Sequence, residues 1–277
     1  MSDLGFGSWF LALSRTLAAF GTLVPYTLVQ WVLERSGSRW SRLYKRWYYR
    51  RMSRLVGLSI EHRGEPARAP VLFVANHVSY FDILVLGSVL ETCFVSRADV
   101  RSWPLLGWSA AVQRTLFIER RRGEAKNHRD VVAERLAAGD SLVMFAEGTS
   151  SDGNHVLPFK SSLFAVAERR IDGKPLTVQP VTVAYTKLDG VPMGRYLRPL
   201  FAWYGDMTLT MHLLRALSLG KATVEIVLHE PITIDGFADR KALSDHCRAE
   251  VARGLSEALS GRRPTQEEAS GNLASAA

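Results

Sequence analysis

The chain has 277 residues, 47% of them hydrophobic and 22% charged, and a net charge of +8. That composition excludes a disordered or collagen-like chain, and the length suits one large α/β domain with an appendage, able to bury its core without staples. Two cysteines, Cys93 and Cys247, make neither a disulfide framework nor a zinc-spaced cluster with histidine, which points to a reducing, cytosol-facing setting with no structural metal.

Between residues 4 and 33 the only charge is Arg15, and the uncharged run 16–33 reaches 18 residues, the lower edge of a spanning helix. Gly21 and Pro25 interrupt it, and Pro25 is expected to kink or break a helix. A monotopic helical hairpin or re-entrant anchor is therefore favoured over a single transmembrane helix. Asp3 near the start and Arg15 inside the apolar run argue against a cleaved signal peptide. Residues 35–54 then carry Arg35, Arg39, Arg42, Lys45, Arg46, Arg50, Arg51 and Arg54 with no acidic residue, which accounts for the whole net charge. Trp40, Tyr44, Trp47, Tyr48 and Tyr49 are interleaved with them, the pattern of an anionic headgroup interface and not of a nucleic-acid patch. Positive-inside logic places this segment on the cytoplasmic side of the membrane.

Beyond the anchor, strands are expected at 58–62, 71–75, 93–96, 116–119, 142–145, 176–184 and 222–228. Helices are expected at 82–90, 104–112, 124–138, 161–169 and 240–259. The alternation predicts an α/β domain with a central mixed, largely parallel sheet flanked by helices. The expected organisation is an anchor with its basic aromatic segment at 1–54, the α/β domain at 55–260, and a disordered polar tail at 261–277.

Chemistry-bearing residues gather where apolar strands end, the edge at which α/β folds place active sites. The strand 71–75 runs into Asn76, His77, Val78, Ser79, Tyr80, Phe81 and Asp82. A turn between His77 and Asp82 can bring the carboxylate onto one ring nitrogen, leaving the other to take a proton. Read alone, the pair is also consistent with a capping aspartate and a partly buried histidine. The strand 142–145 ends in Ala146, Glu147, Gly148 and Thr149, where Gly148 permits close backbone approach and Thr149 offers donors to an anion. Arg120, after Phe117, could clamp a phosphate with both arms of its guanidinium. Arg97 and Lys160 are further cations at strand or helix ends, each readable as phosphate-facing or simply solvated.

In order and spacing these segments resemble the glycerolipid acyltransferase family, in particular bacterial 1-acylglycerol-3-phosphate acyltransferases. Asn76-His77 with Asp82 matches the NHxxxxD block, Phe117 to Arg120 matches F-[IV]-[DE]-R, and Phe145 to Thr149 resembles FPEGT. Gln179-Pro180-Val181 falls where the family has a proline-containing strand, and Arg97 lies where many relatives carry lysine. The resemblance, which runs over residues 55–228, implies direct transfer of an acyl chain from acyl-ACP or acyl-CoA to a lysolipid hydroxyl, with no cofactor or metal. It implies His77 as general base and Asp82 as its orienting partner. It also implies Arg97, Phe117, Arg120, Glu147, Gly148, Thr149 and Lys160 as the acceptor-binding set, with membrane lipids as partners and the inner membrane as location. The expected acceptor is lysophosphatidic acid, giving phosphatidic acid. Some features depart from that pattern: Arg114 replaces a glycine, Ala146 a proline, and Ser150 stands where phosphate-using relatives often have arginine. Residues 150–160 and 178–195 look like a branch shared with lyso-ornithine lipid acyltransferases, the alternative reading. A lipid or thioester hydrolase is a third, though no G-x-S-x-G elbow is present.

Overall fold

The computed structural model describes residues 7–118 and 125–261. Helices α1 (Trp9–Arg35) and α2 (Trp40–Leu55) precede β1 (Leu58–Arg63), β2 (Val71–Ala75), α3 (Phe81–Val89) and β3 (Cys93–Arg97). A 3-10 turn (Ala98–Ser102) leads to α4 (Leu106–Val112), β4 (Leu116–Ile118), α5 (Ala125–Ala137) and β5 (Leu142–Phe145). A 3-10 segment (Ser161–Glu168) and the small strands β6 (Arg170–Ile171) and β7 (Lys174–Pro175) lead to the long β8 (Thr177–Leu188), which pairs with β9 (Val191–Pro192). Helix α6 (Leu209–Ser218), β10 (Ala222–Leu228) and α7 (Arg240–Ser260) complete the described chain.

The main sheet has the order β1-β10-β8-β2-β5-β3-β4. Strands β8, β2, β5, β3 and β4 run parallel, whereas β10 is antiparallel to β8 and β1 runs with β10. This is the mixed, largely parallel sheet that the strand and helix alternation predicts. Strand β2 is buried on both faces, as central parallel strands are. Its period of two splits the core, with Val71, Phe73 and Ala75 packing under α1, α2, α3 and α6. Leu72 and Val74 pack under α5, α7 and the 3-10 segment. Helix α7 starts where the Asp239 side chain accepts from the Lys241 and Ala242 amides, both at 2.8 Å, and stops at Gly261 with φ +67°.

Residues 161–168 adopt 3-10 and not α geometry. Phe164, Ala165, Val166 and Ala167 are all buried, so the segment is gripped on several sides and not along one helical stripe. The larger correction concerns Pro25, which lies inside one continuous 27-residue helix and does not divide two short ones. An interior proline costs roughly 3 kcal/mol, and the packing just beyond it offsets that cost. Tyr26 stacks on Tyr48 at 3.4 Å and on Tyr44 at 5.3 Å, and the Thr27 hydroxyl donates to Ser109 at 3.1 Å.

Helix α1 is long and apolar enough to cross a membrane, yet one side of it is held by protein along its length. The Ser8 amide donates to Ser218 O, and the Arg15 guanidinium donates to Leu217 O (3.1 Å) and Leu219 O (2.7 Å) at the carboxyl end of α6. Gln30 donates to Ser41 of α2. The opposite side exposes Phe10, Leu13, Leu17, Phe20, Val24, Leu28 and Val32, and α2 adds exposed Trp40, Leu43 and Trp47. The charge that interrupts the apolar run therefore faces protein, and a continuous apolar ridge faces outward.

Candidate active site

Strand β2 delivers the chain to its carboxyl end, where Asn76 locks the turn. Its side-chain amide donates to Val183 O (2.9 Å), and its carbonyl oxygen accepts from Val183 N (2.8 Å) on β8. The next residue, His77, is thereby fixed at the sheet edge, and α3 starts four residues later. Asp82, in the first turn of α3, is fully buried. Four donors converge on its carboxylate: His77 Nδ1–H at 2.8 Å, the amides of Val78 (2.7 Å) and Ser79 (3.0 Å), and the Tyr185 hydroxyl at 2.9 Å. With Nδ1 turned to Asp82, the His77 tautomer is set and Nε2 is the bare acceptor. The imidazole stacks on Phe145 with centroids 3.9 Å apart, and its side chain stays 21% exposed. A base of this kind can take a proton from an incoming hydroxyl.

Because β5 lies beside β2, with Ala75 opposite Phe145, the turn after β5 runs along the histidine turn. Glu147 in that turn is 2% exposed, and neither carboxyl oxygen completes a hydrogen bond of normal geometry. Burial pushes its carboxyl up to about 8; the nearby amides of His77 and Leu157 oppose the shift, the Asp82 charge adds to it, and the Arg248 charge opposes it. Gly148 has φ +66°, and an added Cβ there would sit 2.7 Å from Lys160 Nζ, so the lysine stem lies over this glycine. The Gly148 amide is turned inward, donating to Phe145 O at 3.0 Å. Thr149 is exposed at the same edge.

The structure thus gathers His77, Asp82, Glu147, Gly148, Thr149 and Lys160. Arg97 ends β3 and Phe117 is the middle residue of β4, both beyond β5 and about 10 Å or more from β2 at a strand spacing of about 4.8 Å. Arg97 is exposed and engages Asp99 through Nε (3.0 Å) and Nη2 (2.9 Å), while the Arg101 guanidinium sits 5.8 Å over the Phe117 ring. Arg120 lies outside the described residues. Among the described residues no group of three or more His, Cys, Asp or Glu side chains could hold a metal ion.

The Acyltransferase family model matches residues 59–184, the stretch from β1 into β8 that holds the dyad and the Glu147 turn. Lyso-ornithine lipid O-acyltransferase of Brucella abortus is 40% identical, covering 91% of this chain and 96% of the relative. The chain belongs to the acyltransferase family. The lyso-ornithine lipid O-acyltransferase of Rhizobium meliloti is also 40% identical, over 87% of this chain and 83% of its own. A 1-acyl-sn-glycerol-3-phosphate acyltransferase of Neisseria gonorrhoeae is 31% identical over 71% and 75%. The crystal structure of the 1-acyl-sn-glycerophosphate acyltransferase PlsC from Thermotoga maritima superposes with a TM-score of 0.67 at 20% identity, over 92% of this chain and 97% of that one, which shows a shared fold.

Two residues of this acyltransferase's site escape motif reading. Tyr185 reaches Asp82 from a position 103 residues along the chain, and the signal for it is only a tyrosine within an otherwise apolar, buried strand. His212 of α6 meets the Tyr80 hydroxyl at 3.0 Å; burial lowers it to about 4, so it is neutral and accepts from the phenol. Through that bond α6, against which α1 packs, is tied to the histidine turn of the enzyme.

Proposed function

We propose that this acyltransferase is a lyso-ornithine lipid O-acyltransferase that works at the membrane surface. The observation that carries the reaction is the bare Nε2 of His77, backed by a buried Asp82. His77 takes the proton of the acceptor hydroxyl as its oxygen attacks the thioester carbonyl of acyl-ACP or acyl-CoA. The tetrahedral intermediate then collapses, the carbon–sulfur bond breaks, and the imidazolium returns the proton to the leaving thiolate. No acyl-enzyme is formed, and positioned base catalysis of this kind contributes about 10²–10⁴-fold. Glu147, Thr149 and Lys160 bind the acceptor's polar part; Arg120 and Arg97 belong to the same proposed set.

Likeness and position 150 support this acceptor. The 40% relatives act on lyso-ornithine lipid by name, and they cover more of the chain than the 31% relatives named for 1-acylglycerol-3-phosphate. The Ser150 hydroxyl donates to Trp203 O, so the residue that stands in place of the arginine of phosphate-using relatives ties the loop down and offers no cation. Support thus moves from lysophosphatidic acid, the first expectation, to the alternative acceptor. The apolar ridge of α1 and the Trp40, Leu43 and Trp47 side chains of α2 enter one leaflet, with the exposed Arg39, Arg42, Arg51 and Arg54 available to anionic headgroups on the cytoplasmic side, whereas Lys45 is buried against Thr92 O. The test is to offer the purified enzyme lyso-ornithine lipid and lysophosphatidic acid with one acyl donor. Acylation of the first at well over tenfold higher kcat/KM is expected, and the reverse preference would overturn the reading.

A further inference from the structure

The two stretches that resemble the lyso-ornithine branch, residues 150–160 and 178–195, meet beside the catalytic pair. The Ser151 amide donates to His77 O at 2.8 Å, and Gly153 backs onto Val78, where an added Cβ would lie 3.1 Å from Cγ1. From this fixed point Asn154 reaches across, its side-chain nitrogen donating to Arg195 O at 3.1 Å. Arg198 donates to the Asn154 side-chain oxygen through Nη1 and to Met193 O at 2.8 Å through Nη2.

Two charges at this junction are incompletely answered. Asp152 accepts from the Asn154 amide and side chain, both at 2.9 Å, and meets His155 Nδ1 at 3.2 Å. A carboxylate has about four acceptor sites, so one remains, and the side chain is 28% exposed. Burial pushes the Asp152 carboxyl up, but the Asn154 donors and the charges of His155 and Arg195 outweigh it and hold it below its ordinary value. Arg198 is only 7% exposed, its Nε has no hydrogen-bond partner, and its bonds go to neutral oxygens. Burial disfavours the Arg198 charge, the Asp152 carboxylate opposes that effect through space, and Nε is left with no acceptor of its own.

We propose that this junction is the headgroup subsite, in which Asp152 receives the terminal ammonium of an amino-acid lysolipid and Arg198 receives its carboxylate. The assignment rests on the lyso-ornithine reading above and gives it a recognition element. Asp152 lies one residue, about 3.8 Å of backbone, beyond the residue bonded to His77. A headgroup held there keeps its lipid close to the base. The same carboxylate repels a phosphomonoester, so the subsite discriminates by repulsion as well as attraction.

The experiment compares two acceptors on the full-length enzyme in mixed micelles: lyso-ornithine lipid, and the same lysolipid built on norvaline, which lacks the terminal amine. Wild-type enzyme should prefer the ornithine acceptor about tenfold or more in kcat/KM, as for loss of a charge-assisted contact. Asp152→Asn still accepts from the Asn154 amide and keeps the turn, and it should bring the ratio near one, with the loss appearing in KM. Wild-type enzyme alone gives a second readout, because methyl esterification of the ornithine carboxylate should also raise KM. If wild type treats the ornithine and norvaline acceptors alike, or if Asp152→Asn keeps the wild-type ratio, the subsite is refuted while the function stands. Acylation of lysophosphatidic acid with neither amino-acid lysolipid accepted would remove the function and the subsite together.

Discussion

Replacing Glu147 by glutamine isolates the cost of burying a carboxyl beside the catalytic pair. In the folded protein this group titrates near 8, against an ordinary value of 4.5, because burial leaves it without good partners. The folded value lies above the unfolded one, so the folded state keeps a proton that the unfolded chain has already released. The contribution to stability is complete below about pH 4.5, falls as pH rises toward 8, and is flat beyond. Between these limits the slope is about 1.4 kcal/mol per pH unit, which makes the penalty about 3 kcal/mol at pH 7. Glutamine has nearly the same shape and no charge to lose. Glu147→Gln should therefore gain on wild type by about 2.5 kcal/mol between pH 5.5 and pH 7.5, while acyl transfer falls. Urea denaturation in mild detergent at the two pH values reads the difference directly. A stability gap between the two proteins that does not change with pH would refute the argument.

His77→Ala and Asp82→Asn should each lower kcat by about 10²–10⁴-fold while leaving vesicle binding unchanged; near-wild-type turnover by either would remove the base assignment. Tyr185→Phe takes one donor from Asp82 and leaves a buried lone pair, which should cost roughly 2 kcal/mol of stability. The loss of activity should fall on kcat and leave KM unchanged, a split that a purely structural role for the phenol would not produce. The double substitution Leu13→Glu and Leu17→Glu alters side chains 58% and 64% exposed on the outer ridge of α1. It should weaken binding to anionic vesicles at least tenfold, since each buried leucine is worth about 1.5–3 kcal/mol, with the circular dichroism spectrum unchanged; undiminished binding would place the membrane face elsewhere.

Local pattern is enough to read the sheet, whereas the dyad needs the family resemblance to choose it over a capping aspartate. The apolar run at β2 followed by Asn76, His77 and Asp82 announces a strand end, a turn and a helix start within twelve residues, and all three are local events. Strand β8 was read only to residue 184, because Tyr185, Thr186 and Lys187 look polar, yet Tyr185 and Thr186 are buried and the strand runs to Leu188. Helix α6 was not anticipated at all: its short amphipathic stretch lies beyond irregular chain, and its buried face is defined by α1, about 200 residues away. Pro25 misled for the same reason, since the tyrosine stack that keeps the helix whole belongs to α2. Arg97 carries a family expectation, and its exposed pair with Asp99, two residues on, is a local contact that the family pattern does not announce.

Two carboxyl groups near one imidazole could in principle compete for its proton, and their surroundings prevent this. Asp82 receives four hydrogen bonds, three on Oδ2 and one on Oδ1, so donors hold its carboxylate on both oxygens. Glu147 completes none of normal geometry, and burial pushes its carboxyl up to about 8, which favours the neutral acid below that pH. Asp82 therefore meets the imidazole on the side of Nδ1 and leaves Nε2 open. A protonated Glu147 is also a donor, able to hold an oxygen of the acceptor without adding charge to the site. The two residues have opposite environments, Asp82 held by four donors and Glu147 buried with only the backbone amides of His77 and Leu157 nearby. On the reading proposed above, a lysolipid hydroxyl takes the place next to His77 that a protein serine would otherwise fill.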